Sequence, residues 1–328
     1  MLACLLVLGC GDSEPPPPPI LDEPSALPEA LSELEGTFYE GIRYGVSEQR
    51  NLLDILLPKD RPVSGLLLYF HGGGFTGGSR KAIWAPGWVE RLERILDAGV
   101  AVATADYRFL NRAEGFGVLR PLQDGARALQ FLRYHHRELG LDPDQVVLAG
   151  ASAGAGMSHW IGVNDDMADP ASEDPVLRQS TRVRGVLLFE TQASYDVARW
   201  STDVFPDLGI GVLEGAALLG LEGRLLGFYG ISELEEFESP ETRAYRRSVD
   251  MLELTTPDDP PIFVRNKNQP NQPPLSVNIL FHHANHAVVI AERAREVGVE
   301  VVLYAPKLGI EDPSGIGEVD FGLGLLSR

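Results

Sequence analysis

Apolar residues occur along this chain in two patterns that alternate. Short continuous apolar runs are typical of strands that are buried on both faces of a sheet, and longer segments with apolar residues every three or four positions are typical of helices. Their alternation predicts an α/β domain whose right-handed crossovers cover both faces of a mostly parallel sheet. The predicted strands are residues 41–46, 51–58, 65–70, 100–105, 145–149, 183–189, 261–265 and 300–304. The predicted helices are residues 85–98, 122–138, 153–163 and 282–297.

The segment from Gly150 to Gly154 follows the fifth predicted strand and reads Gly-Ala-Ser-Ala-Gly. A strand, a sharp turn and a helix are the context that a Gly-x-Ser-x-Gly nucleophile elbow requires. The two glycines let the backbone turn tightly, so that the Ser152 hydroxyl stands above the sheet edge, where a base can reach it. Ser152 is therefore the candidate nucleophile.

A second glycine-rich motif follows the third predicted strand, where residues 71–74 read His-Gly-Gly-Gly. Acyl transfer develops a negative charge on the carbonyl oxygen of the substrate, and backbone N–H groups aimed at that oxygen stabilise it. In the elbow arrangement one donor follows the serine, here Ala153, and the others come from the loop after the third strand, here Gly72 and Gly73. These three residues are the candidate oxyanion hole.

With these motifs the chain resembles the α/β-hydrolase fold, and specifically the hormone-sensitive-lipase-like esterases and their carboxylesterase relatives. The residues that carry the resemblance lie between about 36 and 200 and are His71 to Phe75, Asp106 to Arg108, Asp142 and Pro143, and Gly150 to Gly154. The resemblance implies the same nucleophile and oxyanion donors, ester substrates, and an eight-stranded sheet with helices on both faces. It also implies an acid after the seventh strand and a histidine after the eighth.

The chain departs from the family pattern where that acid and that histidine belong. Residues 266–270 read Asn-Lys-Asn-Gln-Pro, with Gln269 in the slot of the acid, and residues 305–328 contain no histidine. An amide does not stabilise an imidazolium as a carboxylate does. The base and the acid must therefore come from elsewhere, or the triad is incomplete.

Three histidines follow the seventh predicted strand, namely His282, His283 and His286. The loops after parallel strands gather on the active-site side of the sheet, so we expect His283 or His282 to replace the missing base. The alternative is a histidine-rich helix start that makes only local hydrogen bonds. The i, i+4 spacing of His282 and His286 suits a metal, but no third ligand is evident nearby, and no metal or cofactor is predicted.

The other four histidines are expected to have different roles. His71 belongs to the oxyanion loop, and His135 and His136 are expected to be exposed near the end of a polar helix. His159 is expected to pack or to form a hydrogen bond on the helix behind the nucleophile.

Asp196, which follows the sixth strand, is the preferred candidate acid, and Glu190 is a further candidate. Asp258 and Asp259 precede the seventh strand and should lie at its wrong end. Asp106 is expected to be structural and to pair locally with Arg108 or with the backbone.

Residues 197–259 contain no clear strand and stand where a hydrolase of this fold usually has its lid. The alternative is a set of helices that pack without touching substrate. Phe75, Trp84 and Trp88 suggest an apolar acyl or aryl pocket, although core packing explains them nearly as well.

The N-terminus resembles a bacterial lipoprotein leader. Residues 2–8 are a short apolar run, and the segment Val-Leu-Gly-Cys at 7–10 resembles a processing site that would leave a lipidated Cys10. The alternative is a disordered tail. The expected organisation is a signal segment at 1–10, a proline-rich acidic linker at 11–35 and a hydrolase domain at 36–328, exported to a bacterial cell envelope and held there by the lipid. Cys4 and Cys10 are the only cysteines, so the domain has no disulfide.

The formal net charge of −19 argues against nucleic-acid binding, which needs a surface of lysine and arginine. The leading interpretation is a serine ester hydrolase that acts on small-molecule esters through an acyl-enzyme on Ser152. The second is a binding protein that kept the fold and the elbow but lost the triad.

Overall fold

The computed structural model of the protein describes residues 18–268, 274–312 and 315–327. Within these ranges the strands are β1 (Gly36–Arg43), β2 (Leu52–Pro58), β3 (Gly65–Phe70), β4 (Val100–Ala105), β5 (Val146–Ala151), β6 (Gly185–Phe189), β7 (Ile262–Arg265) and β8 (Val301–Tyr304). The α-helices are α1 (Val89–Asp97), α2 (Leu119–Tyr134), α3 (His136–Leu139), α4 (Ala153–Val163), α5 (Val212–Leu218), α6 (Glu222–Tyr229), α7 (Pro240–Ser248), α8 (Met251–Leu254), α9 (Val277–His282), α10 (Ala284–Val297) and α11 (Gly317–Leu326).

The eight strands form one sheet in the order β1-β2-β4-β3-β5-β6-β7-β8. β1 pairs antiparallel with β2, and β2 pairs antiparallel with β4, whereas all later pairs are parallel. The predicted α/β-hydrolase architecture is confirmed. Because β3, β5, β6 and β7 are parallel neighbours, the loops after their carboxyl ends meet at one edge of the sheet.

Alternate side chains of the central strands enter two separate cores, one on each face of the sheet. Leu66, Leu68 and Phe70 of β3 face the core that α2, α4 and α10 cover, while Leu67 and Tyr69 face the core that α1 and α11 cover. Burial on both faces explains why these strands read as continuous apolar runs rather than as an alternation.

The structure corrects two predicted boundaries that bear on the site. The first strand begins at Gly36 rather than at 41, because it is a half-exposed edge strand whose pairing shifts between Tyr39 and Ile42. The predicted helix at 282–297 is instead two helices, α9 and α10, because His283 has an extended backbone with φ −63° and ψ 141° and caps α10.

Residues 197–259 form α5 to α8 together with shorter helical turns. α5 and α6 line the cavity above Ser152, while α7 and α8 contribute Arg246, Met251 and Leu252 to buried packing. The segment therefore contributes both to the cavity and to the core. Among the described residues, the structure contains no helix that combines the length and the apolar character needed to cross a bilayer.

Candidate active site

Ser152 lies in the turn between β5 and α4 with φ +51° and ψ −118°, a conformation that is strained for a residue with a side chain. The turn is possible because the residues around it are small. A Cβ at Gly154 would lie 2.0 Å from the carbonyl oxygen of Phe70, and a Cβ at Gly150 would lie 2.3 Å from the carbonyl carbon of Gly154. α4 therefore approaches the end of β3 as closely as backbone atoms allow.

This approach brings the oxyanion loop against the elbow. A Cβ at Gly72 would lie 3.3 Å from the Cβ of Ser152, and Gly73 has φ +115°, which favours glycine. The carbonyl of Gly73 accepts the N–H groups of Thr76 and Gly77. Within the described part of the chain, the N–H groups of Gly72, Gly73 and Ala153 donate to no protein acceptor. The three candidate donors thus lie in the two segments that meet at Ser152.

A buried ionic network holds the oxyanion loop from behind. Nε2 of His71 lies 3.3 Å from Oδ1 of Asp106, and Oδ2 of Asp106 accepts from Nη1 of Arg80 at 2.8 Å. Burial would raise the pKa of Asp106, but hydrogen bonds from His71 and Arg80 lower it by more, so the carboxylate stays ionised. The structural role expected of Asp106 fits this network. Of its two expected partners, the backbone is present, because the N–H of Arg80 donates to Oδ1 at 2.7 Å, whereas Arg108 binds Asp124 instead.

His282 is the histidine that the structure brings to the nucleophile. Its Nε2 lies 2.8 Å from Oγ of Ser152, within hydrogen-bond distance. His282 is the last residue of α9, and the loop after β7 fixes its backbone: the side-chain amides of Asn266 and Asn268 donate to its carbonyl oxygen at 3.1 and 2.9 Å. The asparagines in the segment where the family carries its acid therefore hold the backbone of the histidine and not its ring.

Asn278, one helical turn before His282, contacts the other nitrogen of the ring. Nδ1 of His282 lies 3.0 Å from Oδ1 of Asn278 and 3.1 Å from its carbonyl oxygen. Because both oxygens can only accept a hydrogen bond, Nδ1 carries the hydrogen and donates it to them, which leaves Nε2 as the acceptor that faces Oγ of Ser152. The result is a serine–histidine–asparagine arrangement, in which the third residue orients the imidazole without adding a negative charge.

Burial is the largest influence on the pKa of His282 and lowers it below the ordinary 6.5. The hydrogen bond to the Asn278 backbone and the charge of Glu190 raise the pKa, and the charge of Arg224 lowers it. The imidazole is therefore neutral, and able to accept a proton, at neutral pH.

His283 and His286 lie apart from the nucleophile. His283 is buried against Phe205, and its Nδ1 accepts the N–H of Asn285 at the start of α10. Nδ1 of His286 accepts the N–H of Ala193, and its Nε2 donates to the carbonyl of Leu280. The rings of both residues form hydrogen bonds with backbone groups, so the geometry favours His282 over His283 as the candidate base. Among the described residues, no group of three metal-ligating side chains is present.

The candidate acids do not reach the imidazole. Asp196 pairs with Arg246, Nε to Oδ1 at 2.8 Å, and accepts the N–H of Ala198, so the structure does not support it as the orienting acid. Glu190 lies near enough to influence the pKa of His282 but faces Arg265, with Oε2 3.9 Å from Nη2. Asp258 pairs with Arg182 at the opposite end of β7.

The histidines behind the site occupy the core. His159 is fully buried on α4, and burial lowers its pKa to about 4, in keeping with the expected packing role. His135 is buried against Phe131 and Tyr134, which corrects the expectation that it is exposed. Residues distant in the sequence reach this region, because Ile20 and Leu21 donate to Glu138, and no local pattern reveals such contacts.

A cavity of about 450 Å³ opens above Ser152. Its walls are mostly apolar and come from the oxyanion loop, from residues 197–228 and from residues 274–281. Phe75 lines this cavity, as one interpretation suggested. Trp84 instead donates to Asp54, and Trp88 packs on Tyr69, so both belong to the packing of the other face.

Sequence reasoning missed two residues near the nucleophile, Asn278 and Arg224. The i, i+4 spacing of Asn278 and His282 was available as a signal, because such residues share one face of a helix. Arg224 lies more than seventy positions from the elbow along the chain, and no local pattern points to it. Gln269, Cys4 and Cys10 lie outside the described residues.

An eight-stranded sheet of this order, with a serine on a strained turn after β5, is the α/β-hydrolase fold. The family model BD-FAE matches residues 53–197. The match lies within the part of the chain whose motifs resemble the hormone-sensitive-lipase-like esterases, and it supports that resemblance.

Three similar proteins have names that refer to esterases. Gut esterase 1 of Caenorhabditis elegans is 31% identical over 137 residues, which are 40% of this chain and 24% of the relative, so the match spans about a quarter of that protein. A truncated carbohydrate esterase from gut microbiota superposes with a TM-score of 0.65 at 15% identity, over 93% of this chain and 100% of the other. Esterase 2 of Thermogutta terrifontis, phosphonylated by sarin, superposes with a TM-score of 0.57 at 19% identity, over 92% of this chain and 93% of the other.

The contact between Ser152 and His282 predicts a pH-dependent reaction with fluorophosphonates. Labelling needs the neutral imidazole, so the rate should fall as pH falls through the pKa of His282, with a midpoint below 6.5 because burial lowers that pKa. The measurement is the rate of labelling by a fluorophosphonate probe against pH. Ser152→Ala should abolish labelling, and His282→Ala should slow it at least about 100-fold. His283→Ala is the control, and an equal loss in that variant would contradict the assignment.

Proposed function

We propose that the protein is a carboxylic ester hydrolase that forms an acyl-enzyme on Ser152. The observation that carries the proposal is the 2.8 Å contact between Oγ of Ser152 and Nε2 of His282. A nucleophile and a base within hydrogen-bond reach, with a third residue orienting the base, are the arrangement that activates a hydroxyl.

The proposed reaction has two halves. Nε2 of His282 takes the proton of Ser152 as Oγ attacks the ester carbonyl, and the N–H groups of Gly72, Gly73 and Ala153 stabilise the oxyanion. His282 then gives the proton to the departing alcohol, which leaves the acyl group on Oγ. Water, deprotonated by His282, attacks the acyl-enzyme, and Oγ of Ser152 leaves with the returned proton.

In this mechanism Asn278 is a positioning residue. Its oxygen keeps the Nδ1–H tautomer and the ring orientation, as the asparagine of a cysteine–histidine–asparagine site does. It adds no negative charge, so the imidazolium that forms in the transition state is stabilised less than by a carboxylate. We therefore expect a functional esterase of modest kcat.

Substrates are proposed to carry an apolar group beside the ester. The cavity above Ser152 is lined mostly by apolar residues, among which leucine and phenylalanine are the most frequent, and burial of an apolar group contributes about 25 cal/mol per Å². The carbohydrate esterase and the gut esterase among the similar proteins support ester hydrolysis in general and do not define the alcohol or the acyl group.

The test of the function is steady-state turnover of para-nitrophenyl butyrate. The wild type should hydrolyse it. Ser152→Ala and His282→Ala should each lower kcat by about 1,000-fold or more, because the nucleophile and the base act together and neither works without the other. His283→Ala is the matched control for a neighbouring buried histidine. If the wild type turns over the ester no faster than Ser152→Ala does, the result contradicts the proposal.

A second candidate function is ligand binding without turnover. It is favoured by one observation: among the described residues, no carboxylate bonds to Nδ1 of His282. In that case the cavity above Ser152 would still bind apolar ligands, and the turnover assay would give the contradicting result.

Asn278→Asp tests the positioning role directly. A carboxylate in place of the amide should raise kcat by roughly 10-fold and move the acidic limb of the pH profile to higher pH, since a negative charge raises the pKa of His282. Asn278→Ala should lower kcat and leave the imidazole without its side-chain partner. A pH profile of kcat/KM that is the same in all three proteins would show that Asn278 only packs.

We also propose that the protein is exported and held at a bacterial cell envelope by a lipid on Cys10. The support is the leader-like segment at 1–10 and the proline-rich spacer that follows it. In a bacterial host, Cys10→Ser should move the protein from the membrane fraction to the soluble fraction. Retention of that variant in the membrane fraction would overturn the anchor without affecting the proposed activity.

A further inference from the structure

One charged side chain faces the cavity above Ser152. Arg224 of α6 is half-buried, and it is the sole ionisable acid or base, apart from tyrosine, among the described residues that line this cavity. The other lining residues are apolar or carry uncharged polar groups such as those of Ser152, Gln192 and Ser201. A cation in so apolar a wall costs free energy unless something binds it.

Among the described residues Arg224 has no acidic partner, in contrast to Arg80, Arg246 and Arg265. Arg80, Arg246 and Arg265 have carboxylate oxygens within 2.6, 2.8 and 2.7 Å. Arg224 makes no ion pair with any described residue, and burial lowers its pKa with no acid to oppose the shift. Its hydrogen bond, from Nη2 to the carbonyl of Gly74, is 3.4 Å long, beyond the usual range for N–H to oxygen.

The guanidinium is nevertheless held in one place. Its Cζ lies 4.7 Å from the ring centroid of Phe281, the residue before the candidate base. A Cβ at Gly74 would lie 2.1 Å from Nη2, so the guanidinium occupies the space that a side chain at position 74 would fill. The positive charge of Arg224 also lowers the pKa of His282. The cation therefore lies between the oxyanion loop and the base.

We propose that Arg224 is a specificity residue that binds a carboxylate carried by the ester substrate. The inference rests on the proposed esterase function and narrows its substrates to esters with an acidic group a few bonds from the scissile carbonyl. The planar fork of a guanidinium matches a carboxylate and forms two charge-assisted hydrogen bonds with it. No aspartate or glutamate lines the described part of the cavity, so the acid of the substrate meets no like charge there, although the whole chain carries −19.

The experiment compares two esters of equal chain length, mono-para-nitrophenyl adipate and para-nitrophenyl hexanoate, with spontaneous hydrolysis subtracted. The wild type should prefer the adipate by kcat/KM, and Arg224→Gln should lower the adipate-to-hexanoate ratio by roughly 10- to 100-fold. Arg224→Lys, which keeps the charge but not the fork, should lower it by less. Arg247→Gln removes the same charge from an exposed site on α7 and should leave the ratio unchanged.

The ratio separates substrate recognition from support of the loop. If Arg224→Gln lowers both rates equally, Arg224 only braces Gly74 and the inference is wrong. If the wild type hydrolyses neither ester through Ser152, the esterase proposal fails. Carboxylate binding by Arg224 is then tested by itself, by calorimetry with the monoanilide of adipic acid and with hexananilide. Tighter binding of the acidic anilide that is lost in Arg224→Gln supports it, and equal binding of the two anilides overturns it.

Discussion

The close approach of α4 to the end of β3 is the constraint on which the site depends. With 2.0 Å between a hypothetical Cβ at Gly154 and the oxygen of Phe70, only glycine permits this packing. The packing forces Ser152 into its positive φ and sets the oxyanion loop directly against it. Strain of this kind persists only where the surroundings determine it, and here the buried pairing of Asp106 with Arg80 holds the loop from the other side.

The histidine beside Ser152 and the asparagine that contacts its ring come from one short helix rather than from two separate loops. In the family pattern the acid and the histidine come from loops after two different strands, whereas here His282 and Asn278 lie one turn apart on the six-residue helix α9. A short helix cannot hold this geometry alone. Asn266 and Asn268 hold its end, and His286 ties it to the loop after β6 through Leu280 and Ala193. The buried neutral histidine thus acts as a brace for the histidine beside the serine.

Contacts between distant segments also decide the partners of the buried acids. Asp54, Asp106 and Asp196 are buried acids that each pair with an arginine. Among the described residues, no carboxylate bonds to the imidazole of His282. Asp196 was a reasonable candidate from its position after β6, but its location at the sheet edge also put it within reach of Arg246 on α7. That contact depends on a segment about fifty residues later, which no local pattern reveals.

The sequence by itself determined the sheet, the elbow and the oxyanion loop, because buried strands, glycines in tight turns and the order of the two motifs are local properties. It also made the histidines after β7 the candidate bases, since the histidine expected after β8 is absent. Only the tertiary structure places His282, rather than His283, beside Ser152. That placement depends on where α9 ends and on the hydrogen bonds that the backbone makes with the neighbouring rings. The same holds for Arg224, whose place beside Gly74 results from packing between segments far apart in the chain.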